Sequence, residues 1–182
     1  MEQVVPVKLQ PFDAEAFRPY GSVLGLKNPV FPDVDGKHVM LMLRLKRPRN
    51  GRIEELAIHP SYNQTFIPVK GCMAMIVAPP PRSAAASPDQ CELDYNRVAA
   101  FVMEPGDACI VDRGTWHGVV PLGEECLFIS GTRRGAELAH PSGEIVAGRM
   151  PTEEFELGKQ VTPFIEIVDL KKRDSRVLEL QF

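Results

Sequence analysis

The chain has 182 residues, of which 44% are hydrophobic, 25% charged and 7% aromatic, with a formal net charge of −3. A domain of this size hides roughly 70% of its unfolded surface, enough for one real core and one compact site, and the composition excludes a disordered, collagenous or coiled-coil chain. The acidic balance, with a pI near 5.8, excludes the basic face of a nucleic-acid binder.

In chain order, the N-terminal MEQVVPVKLQ has neither a basic region nor an apolar run, so no signal peptide is expected. Asp13 caps a short helix over Ala14-Glu15-Ala16-Phe17, which Pro19 stops. Short apolar or alternating runs then predict strands at 39–45, 65–69, 72–77, 98–103, 108–111, 118–120, 126–130, 163–170 and 177–182. Clusters such as Pro48-Arg49-Asn50-Gly51 and Glu104-Pro105-Gly106-Asp107 separate them. The Pro- and Ala-rich stretch 79–88 reads as an exposed loop, and Thr152-Glu153-Glu154-Phe155 as a second short helix. The basic run Lys171-Lys172-Arg173 meets Asp174 at once and reads as a solvated turn. Many short strands at regular spacing predict an all-β sandwich or barrel. The longest apolar stretch, eleven residues ending in three prolines, is too short to span a membrane.

Cys72, Cys91, Cys109 and Cys126 are far apart and form no C-x-x-C pair. That excludes a zinc knuckle or a thioredoxin-type motif, and fits free thiols in a reducing cytoplasm, with Cys91 the accessible one.

The β-reading sharpens when glycines and histidines are indexed together. Five residues separate Gly51 from Ala57, then come Ile58 and His59, four residues to Gln64 and six to Gly71. Five residues separate Gly106 from Asp112, then come Arg113, Gly114, two residues and His117. These spacings resemble the two signature motifs of the cupin family, which implies a jelly-roll β-barrel with a few short helices. Three His and one Glu around one divalent metal, nickel or similar, are implied by that resemblance. Only His59, His117 and a Gln64 in the place of Glu are available as ligands here, because Ala57 replaces the first His; a metal-free site is the alternative.

Longer segments carry a closer resemblance. Glu15-Ala16-Phe17-Arg18-Pro19-Tyr20-Gly21, the stretch from Leu56-Ala57-Ile58-His59-Pro60 to Val69-Lys70-Gly71, and Arg113-Gly114-Thr115-Trp116-His117 resemble the ureidoglycolate lyase family, over about residues 10 to 135. The resemblance implies a homodimeric enzyme cleaving (S)-ureidoglycolate to glyoxylate and urea in allantoin and purine breakdown. His59, Gln64, Phe66, Pro68, Lys70, Trp116 and His117 stand at matching positions. Ala57-Ile58, Gly118 and the segment Ile129-Ser130-Gly131 depart from the family pattern, which usually carries Glu-Arg, a second His and an Asp there. Residues 1–182 read as one domain, with 136–182 an extension that supplies edge strands or a dimer contact.

The chemistry follows from the substrate class. Breaking the C–N bond of a carbinolamide needs a base for the hydroxyl proton, an acid for the leaving nitrogen and positive charge near the carboxylate. His59 and His117 suit proton transfer; Lys70 is the third candidate for the catalytic set, and Lys70 or Arg113 would hold the carboxylate. Gln64, Arg113, Trp116 and Phe66 are the expected substrate contacts. The competing reading is a protein that binds a small carboxylate without turning it over.

Overall fold

The computed structural model describes residues 2–33, 38–46, 52–60, 62–83, 90–133, 144–146 and 167–181. The sequence-predicted helix at 152–155, the first part of the strand at 163–170, the second half of the loop at 79–88 and His140 lie outside them.

The chain is all-β. In order come β1 (Gln3–Pro11), α1 (Ala14–Phe17), β2 (Gly21–Val23), β3 (His38–Lys46), β4 (Arg52–Ile53), β5 (Glu55–Ile58), β6 (Gln64–Lys70), β7 (Met73–Ala78), β8 (Ala99–Met103), β9 (Cys109–Val111), β10 (Trp116–Pro121), β11 (Glu125–Arg133), β12 (Glu144–Val146), β13 (Ile167–Asp169), α2 (Leu170–Asp174) and β14 (Arg176–Gln181). They form an eight-stranded sheet in the order β13-β5-β10-β7-β8-β1-β14-β4 and a six-stranded sheet in the order β12-β3-β11-β6-β9-β2. One hydrophobic cluster, including Leu43, Phe66 and Phe128 from the smaller sheet and Met75, Val77 and Phe101 from the larger, joins them. Among the described residues, no helix is long and apolar enough to cross a membrane.

Local chemistry explains the ends of these elements. The Asp13 carboxylate accepts from the Glu15 and Ala16 amides, the expected cap of α1. Gly71 ends β6 with φ 76°, in the left-handed region, and a Cβ there would stand 2.7 Å from the Glu125 carbonyl oxygen.

β1 escapes the strand prediction because it contains two prolines, which normally argue against a central strand. Its pairing resolves the conflict. β1 pairs with β14 over Gln3–Lys8 and with β8 only over Leu9–Pro11, so Pro6 lies where just one edge is paired.

The described part of the C-terminal extension is built into the barrel rather than appended to it. β13 pairs with β5, opposite Ala57, Leu56 and Glu55, and β14 lies between β1 and β4. The basic run is also no solvated turn throughout. Lys171 and Lys172 are exposed on α2, whereas Arg173 holds Asp174 through two nitrogens, donates to the Cys91 carbonyl and lies 5.3 Å over the Trp116 ring. Cys109 and Cys126 are buried, and Cys72 and Cys91 partly so.

Candidate active site

Period two in β5 and β10 decides which side chains meet. His117 pairs with Ala57 and Trp116 with Ile58, and directly paired residues share a face of the sheet. His117 faces the six-stranded sheet, with its ring centroid 5.7 Å from that of Phe66 on β6. His59 follows Ala57 at the same parity, just beyond β5. Its ring lies edge-on to His117 with centroids 4.8 Å apart, and stacks on Tyr62 at 4.5 Å. Both histidines are buried, 5% and 4% exposed. The turn before β10 is tied to His59, since the Gly114 amide donates to the His59 carbonyl at 2.9 Å. Gly114 takes φ 73° there, a conformation that suits glycine.

Both ring nitrogens of His117 are engaged. Nδ1 lies 2.9 Å from the Thr115 carbonyl, and Nε2 lies 3.0 Å from Oε1 of Gln64, whose amide nitrogen is 2.9 Å from Ser130 Oγ. A carbonyl can only accept, so Nδ1 carries a proton. Burial holds the His117 pKa down to about 4, against the opposing bond to Thr115, so at neutral pH the ring is uncharged and Nε2 is an acceptor. Gln64 Oε1 facing Nε2 suits the imidazolium. The neutral ring instead requires the amide turned by half a revolution, with its NH2 toward Nε2 and its oxygen accepting from the Ser130 hydroxyl. Gln64 and Ser130 can therefore match either protonation state of His117.

The sequence-predicted residues divide accordingly. His59, His117, Gln64 and Phe66 come together. Trp116 does not: one residue from His117, it points away from the barrel interior, where it is fully buried and its indole donates to the Glu92 carbonyl at 3.0 Å. It is a packing residue, not a substrate contact. Lys70 is also misplaced, because it ends β6, exposed and opposite Leu127, about 20 Å along the strand from Gln64 at roughly 3.3 Å per residue. Arg113 lies beside Gly114 at the rim, and its guanidinium reaches Asp33 at 2.7 Å. Asp33 is itself fixed by Asn63, whose side-chain oxygen accepts from the Asp33 amide at 2.7 Å.

Sequence reasoning missed Tyr62, Ser130 and Thr132. The last two share the inward parity of Phe128 on β11 and are buried. Hydroxyl residues on the core side of an apolar strand are the signal that marks them. The departures from the family pattern also acquire a meaning. Only Ala57 and Ser130 face the interior. Ile58 and Gly118 face outward with Trp116, and a Cβ at Gly118 would stand 2.8 Å from Leu56 Cδ2, so a side chain there would not reach His117.

The residues present do not fit a resident divalent metal. Among the described residues of the site, only His59 and His117 offer imidazole donors, Gln64 is a weak ligand beside carboxylate or imidazole, and Ala57, opposite His117, has no donor atom. Among the described residues, no three His, Cys, Asp or Glu side chains are grouped so as to hold an ion.

Two curled sheets enclosing inward-facing histidines, delivered by two glycine-punctuated strand pairs, define a cupin-like jelly-roll barrel. The profile of the ureidoglycolate lyase family matches residues 34–140, more than half of the chain, and the chain belongs to that family of lyases. No curated protein matches it. Among solved structures, it is similar to RmlC from Streptococcus suis in complex with dTDP-D-xylose, at 13% identity and a TM-score of 0.42, over 66% of this chain and 53% of that one. A dTDP sugar isomerase from Desulfovibrio desulfuricans matches at 16% identity and a TM-score of 0.38, over 62% and 67%. Oxalate decarboxylase from Bacillus subtilis matches at 14% identity and a TM-score of 0.37, over 74% of this chain and a third (33%) of its own length.

Proposed function

We propose that the protein cleaves (S)-ureidoglycolate to glyoxylate and urea by proton transfer between the substrate and the His59–His117 pair. The observation that carries the reading is the 4.8 Å edge-on approach of the two rings inside the barrel. His117 has the properties of a base: burial keeps it neutral, and the Thr115 carbonyl takes up Nδ1–H, so the lone pair is on Nε2. The substrate hydroxyl displaces the Gln64 amide from Nε2 and gives its proton to His117. The C–O electrons form the aldehyde, the C–N bond breaks, and the urea nitrogen takes a proton from His59. A proton then passes from His117 to His59, across adjacent rings, so that the net change moves one proton from oxygen to nitrogen. Between these two transfers the imidazolium of His117 is met by two acceptors, the Thr115 carbonyl and Gln64 Oε1.

Arg113 at the rim exchanges Asp33 for the substrate carboxylate, in the bidentate manner guanidinium allows. The released amide of Gln64 orients the ureido group, and Phe66 packs beside the reacting centre. These steps use the chain's own residues, in keeping with a ligand set that does not fit a metal. The reaction belongs to allantoin and purine breakdown, carried out by 182 residues acting as one domain. Four free cysteines favour a reducing, cytoplasmic setting. Association as a homodimer is part of the same proposal.

Purified protein incubated with racemic ureidoglycolate, with glyoxylate and urea followed separately, tests the reading. Turnover should fall at least a hundredfold in His117→Ala and in His59→Ala and persist in Lys172→Ala, whose side chain is exposed on α2. Binding of glyoxylate without turnover would support a carboxylate-binding protein instead.

A further inference from the structure

Buried hydroxyl groups without partners are uncommon in folded proteins, because each forfeits its bonds to water and receives nothing in return. Thr132 carries one. Its side chain is 1% exposed, and Oγ1 has no hydrogen-bond partner among the described residues. The position is informative: Thr132 follows Ser130 at the same parity on β11, and Gly131 between them pairs with Thr65, so Thr132 lies beside Gln64 across the strand pair. Ser130 is committed to Gln64 at 2.9 Å. Thr132 is the hydroxyl left over on the wall that faces the histidines.

We propose that Thr132 is a substrate-binding residue that donates its hydroxyl to the ureido carbonyl oxygen, so that the six-stranded sheet supplies specificity for the urea end while the eight-stranded sheet supplies the chemistry. The assignment rests on the proposed reading of the His59–His117 site. With the reacting carbon at the histidines and the carboxylate at Arg113, the ureido end points toward the opposite wall. There it meets the Gln64 amide and the Thr132 hydroxyl, a donor that no other described residue satisfies.

Thr132→Val tests this, because valine keeps the branched shape and removes only the hydroxyl. Without substrate the variant should gain about 2–4 °C in Tm, the shift expected when an unpaired buried polar group is removed from a chain of this size. With ureidoglycolate its KM should rise roughly tenfold, about 1.4 kcal/mol of lost binding, with kcat changed less than twofold. Thr132→Ser should restore KM, and Thr65→Val, at the opposite parity on β6, should leave it unchanged. A fall in Tm for Thr132→Val would mean that the hydroxyl is bonded within the protein and would overturn the assignment. An unchanged KM in that variant, with turnover still lost in His117→Ala, would overturn it and leave the histidine site standing. Failure of the wild-type protein to process or bind ureidoglycolate would overturn both.

Discussion

Lowering the pH from 7 to 5 should scarcely affect kcat/KM. A free imidazole, with its pKa near 6.5, would be only about 3% neutral at pH 5, so an ordinary histidine base would lose most of its activity. Burial holds His117 at about 4, which leaves about 90% of it neutral at the same pH. The two cases differ by roughly thirtyfold at pH 5, well beyond assay error. Because kcat/KM reports the free enzyme, its acid limb should fall near pH 4.

The same shift has a consequence for stability. The folded state resists protonating His117 while the unfolded chain does not, so the unfolded chain binds more protons between pH 4 and 6.5. Stability contributed by the neutral ring is complete above pH 6.5 and is lost as the pH falls toward 4, by about 3 kcal/mol for a shift of this size. Carboxylates titrate in the same range, so the quantity to measure is the difference between wild type and His117→Phe in urea unfolding at pH 7 and pH 4.5. A kcat/KM profile that breaks near pH 6.5, together with a pH-independent difference in unfolding, would refute the burial argument.

Two further outcomes follow from the geometry. Replacing Gly118 by His, the residue usual in the family, should add no function and should cost about 1–3 kcal/mol through overpacking against Leu56, measurable as a lower urea midpoint with unchanged slope. The double variant Ala57→His with Gln64→Glu places two stronger ligands beside His59 and His117 and should acquire stoichiometric nickel or zinc by elemental analysis. Wild-type protein dialysed in parallel should remain below a tenth of an equivalent, and equal loading of the two would contradict the misfit of the present donor set.

The glycine and histidine spacings make the barrel and both histidines legible in the sequence, because tight turns and period-two alternation are local properties. What depends on reach or on pairing is not legible there. Lys70 shares a motif with Gln64 but sits at the other end of a seven-residue strand, a separation that motif spacing alone does not convey. Trp116 adjoins His117 in sequence and faces the other way, and the alternation rule separates them only when it is applied within the motif. Ser130 reaches Gln64 over 66 residues of chain, and only the register of β11 on β6 brings them together. The C-terminal extension looks separable because the family resemblance stops before it. Its strand β13 nevertheless lies against Ala57, two residues before His59, so the site's first strand depends on it.

The central claim is that His59 and His117 form one proton-transferring pair. Turnover of ureidoglycolate by wild type, the two single alanine variants and the double variant tests it most directly, in a thermodynamic cycle. A cooperating pair predicts that each single substitution removes nearly all activity and that the double variant is scarcely worse than either. Independent, multiplicative losses, or full turnover in either single variant, would contradict it.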